Sequence, residues 1–388
     1  MPRLSSVEDA VKLFPSFKSL EFIYQLYCFL EKYSLVCVSV EFYIAIIGLC
    51  LTLFHVFILT RKSMMMSSVI SVMIGIEICD ALSMIVAMSI KNIILNFKRD
   101  TWFAPLVLKV PQLPISSIIP ASDLVIRVFW VLECFRADVV QCSTWLGVLL
   151  AFIKYLALKF VTRPKIEIVS NVSFGFHATC LCFLGSCIFS IFNYLRTEIV
   201  KSGTWIPNEE CGLTGTYTIY GLQLSNFFDF LHEYLLKAVI FLNLFVPAIL
   251  PCILLPIIAV LLIIELHNTK ELDSTTSDLV RKSTEKTTSL VIFMTVTYSI
   301  SSLPAGISAL LQVIYSDSGF MYVFKLGNRQ LPVFRQLSVF LGHFSNAILT
   351  VNASLHCFIW FCMSSEYRNS VKRALRLRNN KVQSICNF

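Results

Sequence analysis

Long, nearly uninterrupted apolar blocks are the first feature of the chain that predicts its fold. A bilayer core about 30 Å thick requires roughly 20 helical residues, and about seven blocks reach that length. Apolar residues run continuously through these blocks instead of alternating, which favours helices over the strands of a membrane barrel. We predict spanning helices at about 35–60, 67–90, 121–160, 169–194, 235–265, 288–315 and 337–363.

The polar segments between and after these blocks predict how the chain is organised. We expect an all-α integral membrane protein, a seven-transmembrane helix bundle with a short cytoplasmic surface helix. Basic residues favour the cytoplasmic side, so the pair Arg61-Lys62 and the run from Arg368 to Lys381 place the C-terminus inside the cell. The predicted domains are an extracellular N-terminal tail, 1–34, the seven-helix domain, 35–363, and a cytoplasmic surface helix with tail, 364–388.

Composition supports the membrane assignment and excludes several functions. Hydrophobic residues make up 56% of the chain and charged residues 14%, whereas soluble domains carry roughly 25% charged residues. The net charge of +8 fits basic ends beside an anionic leaflet better than a nucleic-acid partner. No paired CxxC motif, phosphate-binding glycine loop or catalytic grouping is evident, so we expect no metal, no cofactor and no enzyme activity.

Two acids in the second predicted helix stand out because charge is costly inside lipid. A carboxylate at the bilayer centre costs about 3 kcal/mol on insertion scales, so Asp80 should face the bundle interior. It is either a water- or cation-filled switch site or a protonated packing residue. Glu77 lies three residues earlier on nearly the same face, as a second interior acid or beside a polar neighbour.

The outer half of the third predicted helix is the candidate ligand site, because it combines helical periodicity with charges that lipid would exclude. The alternative is a pair of helix-surface ion pairs, Asp123 with Arg127 and Glu133 with Arg136, worth a few tenths of a kcal/mol. The predicted ligand-binding residues are Arg127, Trp130, Glu133, Arg136 and Asp138.

Prolines and one loop cysteine complete the candidates. Pro251 in the fifth helix and Pro304 in the sixth should kink their helices and are candidate hinges, although a static kink is the alternative. Cys211 lies in the largest predicted extracellular loop, where a disulfide can persist. The candidate partner is Cys134, and a free thiol is the alternative.

Six short motifs, spread from the first helix to the surface helix, carry a family resemblance. They are Phe54-His55 with 58–64, 73–76 with 78–80, 142–148, 251–256, Asn352-Ala353 with His356-Cys357, and 363–368. They resemble the rhodopsin-like G-protein-coupled receptors and, more closely, the nematode serpentine receptors of class W, which are related to FMRFamide-type peptide receptors.

The resemblance implies a function and roles for particular residues. It implies a plasma-membrane receptor that senses a short neuropeptide or an environmental small molecule and activates a heterotrimeric G protein. Asp80 and Asn352 would form a sodium-like interior site. Lys154 and Tyr155 stand in the place of the Asp-Arg-Tyr element and, with Arg368, would contact the G protein.

Departures from the family pattern keep two other functions open. Lysine at 154 keeps the charge of the usual arginine but loses its bidentate fork, and the preceding acid is absent. Thr52 stands where asparagine is usual, and Ser302 where a tryptophan toggle is usual. The alternatives are therefore a multi-pass transporter or channel and a receptor-like protein that no longer couples.

Overall fold

The structure is a computed structural model of the 388-residue chain. The residues that it describes are 20–62, 64, 67–99, 123–160, 169, 171–195, 197–205, 216–225, 241–242, 245–272, 278–315 and 331–385.

Seven of the described helices are long and apolar enough to cross a membrane, as the hydrophobic blocks predict. An eighth helix, α8, follows the last span after a single non-helical residue, Ser364. The eight helices are α1 (Leu20–Leu59), α2 (Ser68–Arg99), α3 (Asp123–Lys159), α4 (Val172–Leu195), α5 (Leu250–Leu272), α6 (Asp278–Tyr315), α7 (Leu331–Met363) and α8 (Ser365–Ile385).

Several helices extend beyond the apolar blocks that predicted them. The first begins at Leu20 instead of near residue 35, and the second continues to Arg99 through residues expected in a loop. Backbone hydrogen bonds continue a helix past the bilayer without any apolar side chain, so hydropathy locates the membrane part and underestimates the helix. The third helix matches its predicted limits closely.

A β-hairpin, which the sequence prediction treated as loop, follows α4. Strand β1 (Thr197–Trp205) pairs antiparallel with β2 (Tyr217–Leu224), and the register shifts between Lys201 and Gly203. Both segments are rich in β-branched and aromatic residues, which favours strands.

The fifth span begins with a π-helical turn, Phe245–Ile249, that contains Pro247 and leads directly into α5. Proline removes a backbone donor, and a wider turn accommodates the loss. Pro304 lies inside α6, where the Cys252 thiol donates to the Ser302 carbonyl at 3.1 Å. A neighbouring helix therefore supplies a donor to the α6 backbone next to the proline.

The helices pack as a bundle in which α2 and α3 are central. In the most apolar 18 residues of α2, 72% of the residues are buried, whereas in those of α4 only 11% are buried. The fourth helix therefore lies on the outside of the bundle. The core joins residues of α1 to α3 and α5 to α8, among them Ile58, Met73, Leu146 and Tyr367. Apolar side chains such as Ile47 and Leu181 point outwards, where lipid would cover them.

Glycines set the closest helix contacts. A Cβ built at Gly175 of α4 would lie 2.6 Å from the Ser68 backbone oxygen of α2. No side chain fits at that distance, so α4 approaches α2 only because position 175 is glycine.

Candidate functional site

A chain of buried polar side chains runs along the inside of the bundle. We call it the polar column. It starts in the half of the bundle away from α8 and ends against α8. Its members are Glu41 and Arg136, Asp80 with Ser143 and Tyr298, Glu77 with His356 and Asn352, and His55 with Tyr367.

Asp80 of α2 occupies the middle of the column. The Ser143 hydroxyl of α3 donates to Asp80 Oδ1 at 2.7 Å. The Tyr298 hydroxyl of α6 lies 3.1 Å from Ser143 Oγ and donates to it, because the serine proton is already directed at Asp80. Three helices, α2, α3 and α6, are therefore joined at one carboxylate.

Glu77 and His356 form the next step. Glu77 is completely buried, and its Oε1 lies 2.9 Å from His356 Nδ1 of α7. The same nitrogen lies 3.5 Å from Asp80 Oδ2. Asn352 Nδ2 lies 3.3 Å from His356 Nε2 and donates to it, so the ring proton is on Nδ1. His356 thus bridges the two acids that the sequence predicted on one face of the second helix.

The column ends at the surface helix. His55 Nε2 of α1 lies 3.7 Å from Glu77 Oε1, and His55 Nδ1 lies 2.8 Å from the Tyr367 hydroxyl of α8. The Tyr367 side chain is completely buried, and burial raises its pKa well above the usual phenol value. Its hydroxyl therefore stays protonated, and its hydrogen bond with His55 fixes α8 against α1.

At the opposite end, Arg136 of α3 forms a buried ion pair with Glu41 of α1. The Arg136 side chain is 4% exposed and the Glu41 side chain 0%. Two further Arg136 nitrogens, Nε and Nη1, have no hydrogen-bond partner among the described residues. The guanidinium keeps donor capacity beyond its partner in α1.

A cavity connects Arg136 with Asp80. It contains about 420 Å³ of empty space, part of it open to the outside. The lining residues that belong to the column are Asp80, Arg136, Ser143, Tyr298 and Asn352.

The other predicted ligand residues of α3 lie elsewhere. Arg127 is exposed and pairs with Asp123 at 2.8 Å, as the surface-pair alternative predicts. Trp130 and Glu133 are half-buried and are not among the cavity residues that the structure describes. The predicted alternative pair of Glu133 with Arg136 is wrong, because Arg136 turns inwards to Glu41.

Asp138 is buried on another face of α3. Its backbone carbonyl accepts from Ser186 of α4 at 2.9 Å, and the Cys187 thiol lies 3.5 Å from its carboxylate. These contacts fasten α3 to α4 and point away from the cavity described above. A ligand-binding role for Asp138 stays a prediction without a structural contact that supports it.

The predicted G-protein contacts lie at the α8 end of the bundle. Lys154 is half-buried, and Tyr155 accepts from Lys159 at 2.9 Å. Arg368 donates to the carbonyls of Phe361 and Cys362, at 3.1 and 2.7 Å. It therefore caps the last turn of α7, an alternative use of its guanidinium.

The structure shows where the candidate hinge prolines lie but does not test the predicted hinges or the predicted disulfide. Pro251 lies in the first turn of α5, just after the π-helical turn, and not in the middle of a helix. A hinge role for it and for Pro304 stays a prediction. Cys211 lies outside the described residues, so its pairing with Cys134 stays a prediction as well.

Sequence reasoning missed several members of the column. Glu41 was overlooked although it lies inside an apolar block, which is the same signal that identified Asp80. His55 and His356 entered only as letters of family motifs, and Tyr298 was not considered. A search for charged or histidine residues within the apolar blocks would have found Glu41, His55 and His356, but not Tyr298.

Comparison with known proteins assigns the family. The model of the serpentine type 7TM GPCR chemoreceptor Srw family matches residues 39–378, from the first span through most of α8. No curated protein matches the chain. The seven apolar helices agree with the family match, and the chain belongs to the Srw family of serpentine seven-transmembrane chemoreceptors.

Proposed function

We propose that this chemoreceptor binds an extracellular ligand in the cavity between Arg136 and Asp80 and activates a heterotrimeric G protein. The observation that supports this most is the polar column, which joins that cavity to α8 by contacts of 2.8 to 3.7 Å. In this proposal the protein lies in the plasma membrane with its N-terminus outside and α8 in the cytoplasm.

The ligand in this proposal carries an acidic group. Arg136 presents Nε and Nη1 without partners among the described residues, and it lines the cavity. Each of these free donors can form a charge-assisted hydrogen bond to a carboxylate. A small carboxylic acid or the acidic end of a short peptide fits this arrangement.

Activation follows from differential binding to two arrangements of the column. A ligand shifts the equilibrium only if it binds one arrangement better than the other. An acidic ligand competes with Glu41 for Arg136, and the cavity also touches Asp80, Tyr298 and Asn352. Those residues belong to α2, α6 and α7, so a bound ligand biases the packing of all three.

The cytoplasmic consequence in this proposal is a change at the ends of α6, α7 and α8. Tyr298 lies six residues before Pro304 in α6, where the backbone is weakened by the missing donor. Tyr367 ties α8 to α1 through His55. Movement there would expose Lys154, Tyr155 and the neighbouring helix ends to the G protein.

The buried state of the column argues against a transporter or channel. Below Asp80, the side chains of Glu77, His55, His356 and Tyr367 are 0% exposed in the described structure. The cavity is therefore blind, whereas a transport path would continue to the other face.

The proposal is tested by ligand-stimulated second-messenger output in cells that express the chain with a promiscuous G protein. The screen compares small carboxylic acids and short peptides with their amide or ester counterparts. We expect a response to at least one acid, and no response to its neutral counterpart. Lys154→Ala should abolish the response at unchanged surface level.

A matched pair of variants separates ligand recognition from folding. Glu41→Gln with Arg136→Gln removes both buried charges together and should abolish the response. Arg127→Gln removes an exposed arginine of the same helix and should leave it intact. A response that survives the loss of Arg136, or that follows a neutral ligand equally well, would contradict this ligand site.

A further inference from the structure

We propose that Glu77, Asp80 and His356 form a binding site for a transition-metal dication, with Zn²⁺ as the first candidate. The site lies inside the bundle, between α2 and α7, and it does not depend on the receptor function proposed above. The sequence alone predicted no metal site, because Glu77 and Asp80 lie together in α2 whereas the third ligand, His356, lies far along the chain in α7.

The spacing of the three side chains is that of metal ligands. One donor atom from each of the three lies within 4.8 Å of the other two. His356 Nδ1 lies 2.9 Å from Glu77 Oε1 and 3.5 Å from Asp80 Oδ2. With zinc–ligand bonds of about 2.0–2.1 Å, ligand atoms of a tetrahedral site lie roughly 3.3 Å apart. The two measured distances lie on either side of this value.

Unsatisfied oxygens at the site independently point to a missing cation. Glu77 Oε2 and Asp80 Oδ2 are buried and have no hydrogen-bond partner among the described residues. Glu77 is 0% exposed and Asp80 8%. Two buried carboxyl groups side by side are costly unless a positive charge compensates them. One dication satisfies both acids at once.

The chemistry of the ligands selects the class of metal. Sodium, magnesium and calcium prefer oxygen ligands alone, whereas an imidazole nitrogen suits Zn²⁺ and its neighbours in the transition series. A sodium-like site, as the family resemblance implies for Asp80, would not require His356. The direct approach of His356 Nδ1 to both acids therefore distinguishes the two sites.

The surrounding residues can support the metal-bound form. When Nδ1 binds a metal, the ring proton must move to Nε2, and that nitrogen then needs an acceptor. Asn352 faces Nε2 at 3.3 Å, and a rotation of its amide presents Oδ1 in place of Nδ2. Ser143 already donates to the other oxygen of Asp80 at 2.7 Å, which orients that carboxylate.

The cavity supplies an entry path. Asp80 and Asn352 line the cavity that reaches the outside. Three protein ligands leave a fourth tetrahedral position, which water from the cavity can occupy. We therefore expect a reversible site, in exchange with metal in solution, and not a closed structural one.

The test uses purified, metal-stripped full-length protein in detergent micelles. Zn²⁺ is titrated in constant sodium, and Tm and bound metal per protein are measured. Co²⁺ is then used as a spectroscopic probe, because four-coordinate Co²⁺ absorbs visible light far more strongly than six-coordinate Co²⁺. His356→Asn and Glu77→Gln remove ligands. His177→Asn is the control, since His177 is exposed on α4 and contacts only its own helix backbone at 2.6 Å.

We expect one Zn²⁺ per protein, a higher Tm with Zn²⁺, and the strong Co²⁺ absorption. Loss of a residue that only hydrogen-bonds to a metal ligand weakens metal sites by about 10–100-fold, so loss of the ligand His356 itself should weaken binding by more than about 100-fold. His177→Asn should bind as the wild type does. The proposal is overturned if the wild type gives no four-coordinate Co²⁺ spectrum, a result that does not require any variant to fold. It is equally overturned if His356→Asn binds Zn²⁺ normally, or if only sodium raises Tm.

Discussion

The ion pair between Glu41 and Arg136 allows the interior electrostatics of the bundle to be measured. Both side chains are almost fully buried, at 0% and 4% exposure. Removing one partner of such a pair leaves an uncompensated charge, which costs about 3–5 kcal/mol. Replacing both partners by neutral groups of similar size is often nearly neutral. We therefore expect Glu41→Gln and Arg136→Gln to be strongly destabilising separately and mild together.

The chain contains a matched control for this experiment. Asp123 and Arg127 form an ion pair at 2.8 Å near the start of the same helix, but their side chains are 39% and 56% exposed. Solvent screens such a pair, and i,i+4 pairs on helix surfaces contribute only about 0.3–0.5 kcal/mol. The two pairs share residue chemistry and differ mainly in burial, so their difference measures the effect of the interior.

The assay is a double-mutant cycle by equilibrium unfolding in mixed micelles that contain increasing fractions of denaturing detergent. We expect a coupling free energy of at least about 3 kcal/mol for the Glu41–Arg136 cycle and below about 0.5 kcal/mol for the Asp123–Arg127 cycle. Independent sites add within roughly 0.3–0.5 kcal/mol. Additive effects within that limit at Glu41 and Arg136 would refute the buried pairing and the inward orientation of Arg136.

Three further predictions follow from helix contacts. Gly175→Ala places a Cβ 2.6 Å from the α2 backbone and should lower the free energy of unfolding by about 1–3 kcal/mol. Gly185→Ala is the control, because a Cβ there meets nothing within 4 Å and should be neutral. Surface expression and Tm compare the two variants, and equal effects would contradict the α2–α4 contact. Arg368→Ala removes two hydrogen bonds to the end of α7 and should raise amide exchange in the last turn of α7, with unchanged exchange as the contrary result. Burial raises the pKa of Tyr367, so its contribution to stability is constant at neutral pH and is lost as the pH rises above about 10, the usual phenol value. The stability of Tyr367→Phe, measured by unfolding at a series of pH values, should lack that alkaline loss. An identical alkaline loss in this variant would argue against a buried hydroxyl.

The membrane fold could be predicted because lipid imposes a strong and local constraint. A helix must cover about 30 Å with apolar side chains, so each span shows in its own stretch of sequence. The ends of helices are set by backbone hydrogen bonding outside the lipid, where no such constraint acts. For this reason α1 begins at Leu20 and α2 continues to Arg99, beyond the predicted limits. The β1–β2 hairpin had a strand pattern that the search for apolar blocks passed over.

The candidate site was predictable only as far as single helices allow. The rule that charges avoid lipid identified Asp80 and the polar outer half of α3. A helical pattern shows which residues share a face, but not which partner from another helix each one meets. Glu77 therefore stayed ambiguous until His356 was found 2.9 Å away. Arg136 was predicted as a ligand residue, with Glu133 of the same helix as its alternative partner, and it pairs across the bundle with Glu41.

The central claim is that a ligand in the Arg136 cavity acts on the α8 end through the polar column. The most direct test uses His55→Leu, which breaks the column between Glu77 and Tyr367 at a fully buried position away from the cavity lining. Ligand affinity and G-protein activation are measured on the same membranes, with the first active acid from the screen and with His177→Leu as control. We expect His55→Leu to bind the ligand with wild-type affinity and to lose most of the activation. A dose–response curve equal to that of the wild type, at equal surface level, would contradict the proposed route.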